Sequence, residues 1–370
     1  MDGGFAPCPA DTMFTPSIDI VIPVWNRPVE TRDCVVSLMA TAPTARLILF
    51  DNGSDRETER LLEEFAEGLG EQALLLKNRS NQGYVKAVNR GLDRSEAPFV
   101  ILVRNTSIVS EGWLEPMLEL ATARSDAGLI VPKLVTGAEP RRAREGSGLP
   151  RVIEVSHGSF AALLMRRELL ECQGGFDEDL DGGAWCLKDY SRRALKNGFL
   201  TFAAEGGAVR YKDDILFGST VRREETVRRS AAAYDSRWGT EDAFCVYWPR
   251  EADPEVVHEA FGTILKGARM GHRFTVIVHS KLHKALADRG YDSLHRSIRV
   301  EVLPYLFSAS EVRKIFGRLQ AERSDTVPVA GVDGVPLPGV ENSRSIAWLE
   351  EALRCREERC YHRGETVEIG

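Results

Sequence analysis

The stretch ILVRNTSIVSEGWL, residues 101 to 114, poses the chemical problem of this chain. An apolar run gives way to polar residues and then to a helix start, the setting of a turn that holds a metal at the end of a buried strand. Magnesium and manganese take hard, preferably anionic oxygen ligands, yet no carboxylate stands here before Glu111. The turn instead offers Arg104, a guanidinium that keeps its charge at neutral pH and can give paired hydrogen bonds to phosphate oxygens.

Other residues carry chemistry at fixed places. Asp51 ends the run ARLILF, and Asn52, Gly53 and Ser54 after it form a tight turn; the same residues read equally as a turn with a helix N-cap. Asn81, Gln82 and Gly83 form a second turn, in which glycine lets the backbone come close to a ligand. Lys86 and Asn89 follow one helical turn apart. Pro23 and Trp25 close the run SIDIVIPVW, where a tryptophan is ordinarily core. His157, before a strand, is ordinarily a structural hydrogen-bonder. Cys186 beside Trp185 reads as packing rather than as a nucleophile.

The elements that must position these groups follow from the pattern. SIDIVIPVW, ARLILFDNGS and APFVILVRN are continuous apolar runs, as buried strands are. VETRDCVVSLMATA and RETERLLEEFAEGL between them read as helices, the second with acid in its first turn. Strand alternating with helix implies a largely parallel sheet with ligands beyond its carboxyl ends. A strand at AGLIVPKLV, a long loop at GAEPRRAREGSGLP and a strand with a short helix at GSFAALLMRRELLECQGG come next. A fresh α/β pattern begins at AFCVYWP, so we divide the chain into a tail (1–16), a large domain (17–240) and a smaller α/β domain (241–370).

Composition narrows the class. Charged residues at 28% and hydrophobic residues at 43% describe a globular chain, and a net charge of -7 argues against nucleic acid as a partner. No stretch reads as a signal peptide or a membrane span, and seven scattered cysteines form no secreted framework, so a cytoplasmic location is expected. Cys355, Cys360 and His362, like His272, His279 and His283, fall short of a zinc ligand set. No metal site is expected at either cluster.

IDIVIPVWNRP, LILFDNGSDRETERLL, NRSNQGYVKAVNRGL, SEGWLEPML and GGFDEDL stand in the order and spacing of the family-2 glycosyltransferases with the GT-A fold. The chain resembles that family over about residues 17 to 215, while 241–370 resembles nothing we can name. The resemblance implies a GT-A nucleotide-binding domain with a mixed, mostly parallel sheet, and a nucleotide-diphosphate sugar as donor. It places Pro23, Trp25, Asp51, Asn81, Gly83 and Lys86 around the nucleotide, with Asp51 accepting from a pyrimidine N–H. It aligns Arg104, Asn105 and Thr106 with the Asp-x-Asp triad, so a manganese or magnesium ion is not held in the usual way and Arg104 takes its place against the diphosphate.

It also implies phosphate contacts from Lys212, Arg222 and Arg223, although the last two read equally as a solvated helix start. His157 and Trp185 fall on the acceptor side. Where relatives carry Glu-Asp-x-Asp, this chain has Cys186, Leu187 and Asp189, leaving Asp189, Asp181 or Asp179 as the general base. The acceptor, whether glycan, peptide or small molecule, is not specified. Two readings follow: an inverting transferase, or a glycosyltransferase-like binding or scaffold protein without catalysis. The smaller domain serves the acceptor or a homodimer contact.

Overall fold

The first strand, β1 (Ile18–Val24), is buried along its whole length and sits between parallel neighbours, which is why it reads as an unbroken apolar run. The computed structural model describes residues 18–136, 152–212, 220–305 and 308–364. After β1 the chain alternates α1 (Pro28–Thr41), β2 (Arg46–Asp51), α2 (Arg56–Leu69), β3 (Ala73–Lys77), α3 (Tyr84–Leu92) and β4 (Phe99–Val103). Then come β5 (Ile108–Val109), α4 (Glu115–Ala123), β6 (Ala127–Thr136), β7 (Val152–Glu154), β8 (Ala162–Arg166), α5 (Arg167–Gln173), α6 (Trp185–Lys196), β9 (Leu200–Tyr211) and α7 (Thr220–Trp238). The strands form one sheet in the order β3-β2-β1-β4-β8-β6-β9-β5, with β7 on β9.

The β3-β2-β1-β4 half is parallel, whereas β8 runs antiparallel to β4 and β6. The sheet is thus the mixed one expected. One face packs under α1, α2 and α4 through residues such as Ile20, Leu38 and Met117; the other packs under α3, α5 and α6 through Val21, Val88 and Tyr190. Asp19, the one acid inside β1, is buried and held by Arg46 at 2.7 Å and by the backbone N–H of Ala97 at 2.9 Å. Burial alone would raise its pKa, but these donors outweigh burial and keep it lowered.

A second, smaller α/β unit follows: β10 (Ala243–Trp248), α8 (Pro254–Arg269), β11 (Arg273–His279), α9 (Ser280–Ala287), β12 (Ile298–Leu303), α10 (Ser308–Glu322), β13 (Val327–Ala330), β14 (Arg344–Ser345) and α11 (Ile346–Gly364). Its strands are parallel in the order β12-β11-β10-β13-β14. The two sheets are tied by Glu154, whose carboxylate accepts from Arg269 Nε and Nη2, each at 2.7 Å, and whose backbone bridges to His295. Lys188 on α6 adds a 2.7 Å pair with Glu241.

Candidate active site

The carboxyl ends of β3, β2, β1 and β4 lie side by side, so the loops after them converge. After β1, Asn26 and Arg27 both adopt positive φ, 57° and 64°, a conformation costly for side chains other than glycine. The loop is held from neighbouring turns: Asn26 N–H donates to Ser54 Oγ at 2.9 Å, and Asn26 Oδ1 accepts from Asp55 N–H at 2.8 Å. Pro23 is buried within β1, and Trp25 at the mouth of the loop is half-buried.

Asp51 is buried at the end of β2, where its Oδ1 accepts from Ser54 N–H at 2.8 Å. Its Oδ2 has no hydrogen bond to a described residue, so one acceptor oxygen of this carboxylate remains available. Asn52 ties this turn to the next one: its Nδ2 donates to Asn81 Oδ1 and to Gly83 O, each at 3.0 Å, and its Oδ1 accepts from Gln82 N–H at 3.2 Å. Gly53 has φ 75°, and a Cβ there would lie 2.5 Å from Ser80 Cα. Gly53→Ala is therefore expected to cost about 2 kcal/mol or more, read as a lowered urea midpoint with unchanged slope.

At the end of β4, Arg104 is half-buried; its N–H donates to Phe160 O at 3.1 Å and its Nη1 reaches Lys212 O at 3.4 Å. Its guanidinium lies beside the Tyr84 hydroxyl, whose pKa burial pushes up to about 12 against the pull of that charge. Asn105 differs from the expectation: its amide is buried and donates to Thr31 Oγ1 at 2.9 Å and Asn26 O at 3.4 Å, so it supports the β1 loop. Thr106 Oγ1 and Ser107 Oγ are buried without a partner among the described residues.

The triad position thus supplies amide and hydroxyl oxygens but no carboxylate. Among the described residues no group of three or more His, Cys, Asp or Glu is placed to hold a metal. That donor set does not fit a divalent cation. Lys86, half-buried in the first turn of α3, makes no ion pair with a described residue. Lys212 is exposed, with Nζ 3.8 Å from Glu30. Arg222 and Arg223 fall in the first turn of α7, and their side chains lie outside the described residues.

The three carboxylates expected as bases separate clearly. Asp189 is fully buried, and its oxygens accept from Arg237 Nη1 at 2.6 Å, Trp238 Nε1 at 2.9 Å and Arg193 Nε at 2.9 Å. It is a structural hub between α6 and α7, out of reach of an acceptor, because a carboxylate on the inward face of α6 is claimed by the basic and indole donors of α7. Asp179 is exposed in a short 3₁₀ turn, away from the helix start that Asp181 caps. Asp181 points at Gly83: a Cβ on that glycine would meet its Oδ2 at 2.5 Å. Its oxygens accept from Tyr84 N–H at 3.1 Å and Val85 N–H at 3.3 Å. Burial raises its pKa to about 6, partly opposed by these two N–H donors.

On the far rim, Lys188 Nζ lies 4.6 Å over the half-buried Trp185 ring, which packs at 5.2 Å against Tyr234. His157 has Nδ1 2.8 Å from Gly158 O, so Nδ1 carries the proton; burial lowers its pKa and keeps the ring neutral at pH 7. Burial pushes the Cys186 thiol up, which removes it as a nucleophile. Sequence reasoning missed Asn52 and Tyr84. Asn52 was visible only as a turn residue; Tyr84 gave no signal beyond an aromatic at a helix start.

Residues 19–174 match the family model described as Glycosyl transferase family 2. A Drosophila melanogaster protein named as a polypeptide N-acetylgalactosaminyltransferase is 31% identical over 117 residues, 29% of this chain. The chain spans 20% of that relative's length. The solved mannosyltransferase PcManGT from Pyrobaculum calidifontis, in complex with GDP-Man and Mn2+, superposes with a TM-score of 0.46 at 13% identity, covering 94% of this chain and 88% of its own. No helix among the described residues is long and apolar enough to cross a membrane. The segment that is similar to the glycosyl transferase family 2 model is the one folded around the loops just described.

Proposed function

We propose that this protein transfers a sugar from a nucleotide-diphosphate donor to an acceptor hydroxyl, with inversion at the anomeric carbon and without a divalent cation in the usual place. The observation that carries the reading is the convergence of Asp51, the Asn81–Gly83 turn and Arg104 at the ends of adjacent parallel strands, inside the segment that matches the family. Asp51 Oδ2 accepts from the base, and Arg104, with Lys86 and Lys212, faces the diphosphate. Asp181 takes the proton of the acceptor hydroxyl as its oxygen attacks the anomeric carbon. The bond to the diphosphate breaks, and the negative charge gathering on the leaving oxygens is stabilised by the fixed guanidinium.

Calorimetric titration with nucleoside diphosphates, in EDTA and in manganese, tests the metal substitution. Binding is expected in EDTA, and Arg104→Ala is expected to weaken it by about tenfold to a hundredfold, as loss of a charge-assisted hydrogen bond does, with unchanged melting. Tight binding that requires manganese and ignores Arg104→Ala would overturn it. One observation favours a second reading, a glycosyltransferase-like binding protein: the family's surviving carboxylate, Asp189, is locked into structure. A wild type that binds nucleotide yet turns over no donor is the outcome that reading requires.

A further inference from the structure

The helices α1 and α2 cover the sheet side by side, and the outer surface between them is unlike an ordinary solvated face. A surface helix buries one stripe and turns a polar face to water. On α1, Cys34, Val35 and Leu38 face the core, yet Val29, Val36 and Met39 are 66%, 52% and 39% exposed on the outside. With Arg32 they form a stripe at helical spacing, about 15 Å from Val29 to Met39. A cavity of about 470 Å³ opens beside its first half, lined by Arg32, Arg56 and Arg60 together with Glu57 and Glu64. A smaller apolar one, about 120 Å³, lies at its far end between Met39, Pro43 and Leu69.

These five charged side chains are exposed, and among the described residues none of them is in an ion pair or a side-chain hydrogen bond. Elsewhere on α2 the chain does pair its charges: Glu59 and Glu63 both hold Lys77. A groove with an apolar edge and unpaired charges of both signs is complementary to itself, as a two-fold interface must be.

We propose that the α1–α2 groove is the contact surface for a second copy of this chain, with the arginines of one copy against the glutamates of the other and the Val29–Met39 stripes buried between them. The groove starts at Pro28 and Val29, directly after the strained Asn26–Arg27 pair, so the partner copy braces the β1 loop of the candidate site.

Sedimentation velocity over a concentration series tests this with the full chain. One variant, Arg32→Glu/Arg56→Glu/Arg60→Glu, has a wholly acidic groove; another, Glu57→Arg/Glu64→Arg, has a wholly basic one. Each alone is expected to raise the dimer dissociation constant by roughly a hundredfold, while their equimolar mixture forms a dimer again. Val36→Asp is expected to dissociate both the wild-type dimer and the dimer of the mixed variants. Because these side chains have no charged or hydrogen-bonding partner among the described residues, circular dichroism and melting should stay as in wild type. A wild type that is monomeric at about 100 µM, far above the dissociation constants of specific interfaces, overturns the proposal. So does a dimer that both single-sign variants retain, as one built on the smaller α/β unit would be.

Discussion

Asp181→Asn is expected to lower kcat for transfer by about a thousandfold, the middle of the range for loss of a general base, while nucleotide binding stays within about twofold. The reasoning is by position and charge. Of the three carboxylates near the GGFDEDL turn, Asp189 has its oxygens bonded to α6 and α7 donors, and Asp179 stands in solvent. Asp181 alone reaches the turn at Gly83, and its pKa near 6 suits it to accept a proton at neutral pH.

The same residue caps the start of α3, with Tyr84 N–H on one oxygen and Val85 N–H on the other, which is why asparagine is the informative replacement: it keeps the shape and one of the two acceptor oxygens but cannot take a proton. The pH dependence follows with a definite sign. Base catalysis needs the ionised form, so kcat/KM should climb as pH rises through about 6 and then level off. Stability moves the other way: with a folded-state pKa above the unfolded one, the folded chain holds this proton more tightly. The stability Asp181 contributes is full below about 4 and lost as pH rises through about 6. An Asn variant with wild-type kcat at equal melting temperature would remove Asp181 from the chemistry.

The parts of the fold that were legible share one property, burial on both faces or a strong helical period. β1, β2 and β4 read as strands because neighbouring strands flank them and helices cover both faces; α2 spans the residues of its pattern, and α1 lies one residue earlier than its own at each end. β3 escaped notice because it is the edge of its sheet, short and only half-buried, and carries no strong run. β9 was hidden by Glu205-Gly206-Gly207 in its middle, where its register to β6 shifts. The structure needs those glycines: a Cβ on Gly207 would lie 2.2 Å from Glu111 O.

The site was legible to the extent that it rests on turns. Asp51 and Asn81–Gly83 stand where the loops converge because tight turns are local in sequence. What no local pattern carries is which donors meet a given carboxylate. Asp189 and its Arg237 partner are 48 residues apart, and Asn105 meets Thr31 across 74. Such long-range pairings decide whether a polar residue faces a ligand or holds the scaffold, and a single sequence leaves them open.

Asp189→Ala is expected to destabilise the protein by about 3–5 kcal/mol, the loss that follows when one member of a buried ion pair is removed. The carboxylate is fully buried and receives Arg193, Arg237 and the Trp238 indole N–H. Without it, the indole N–H loses its 2.9 Å bond at a buried position, and Arg237 loses its 2.6 Å bond while keeping the 2.7 Å one to Asp177. Because these donors come from the last turn of α7, that helix should lose its hold on α6, seen as faster amide exchange across residues 230 to 238 in addition to a lower denaturant midpoint. Asp189→Asn, which keeps the shape and one acceptor oxygen but not the charge, should fall between alanine and wild type. The decisive comparison is kinetic: below its melting transition the Asn variant should keep kcat within about threefold of wild type, since a residue with no route to the acceptor contributes nothing to the chemical step. A collapse of kcat in Asp189→Asn at an unchanged midpoint would return this carboxylate to the role of base and displace Asp181 from it.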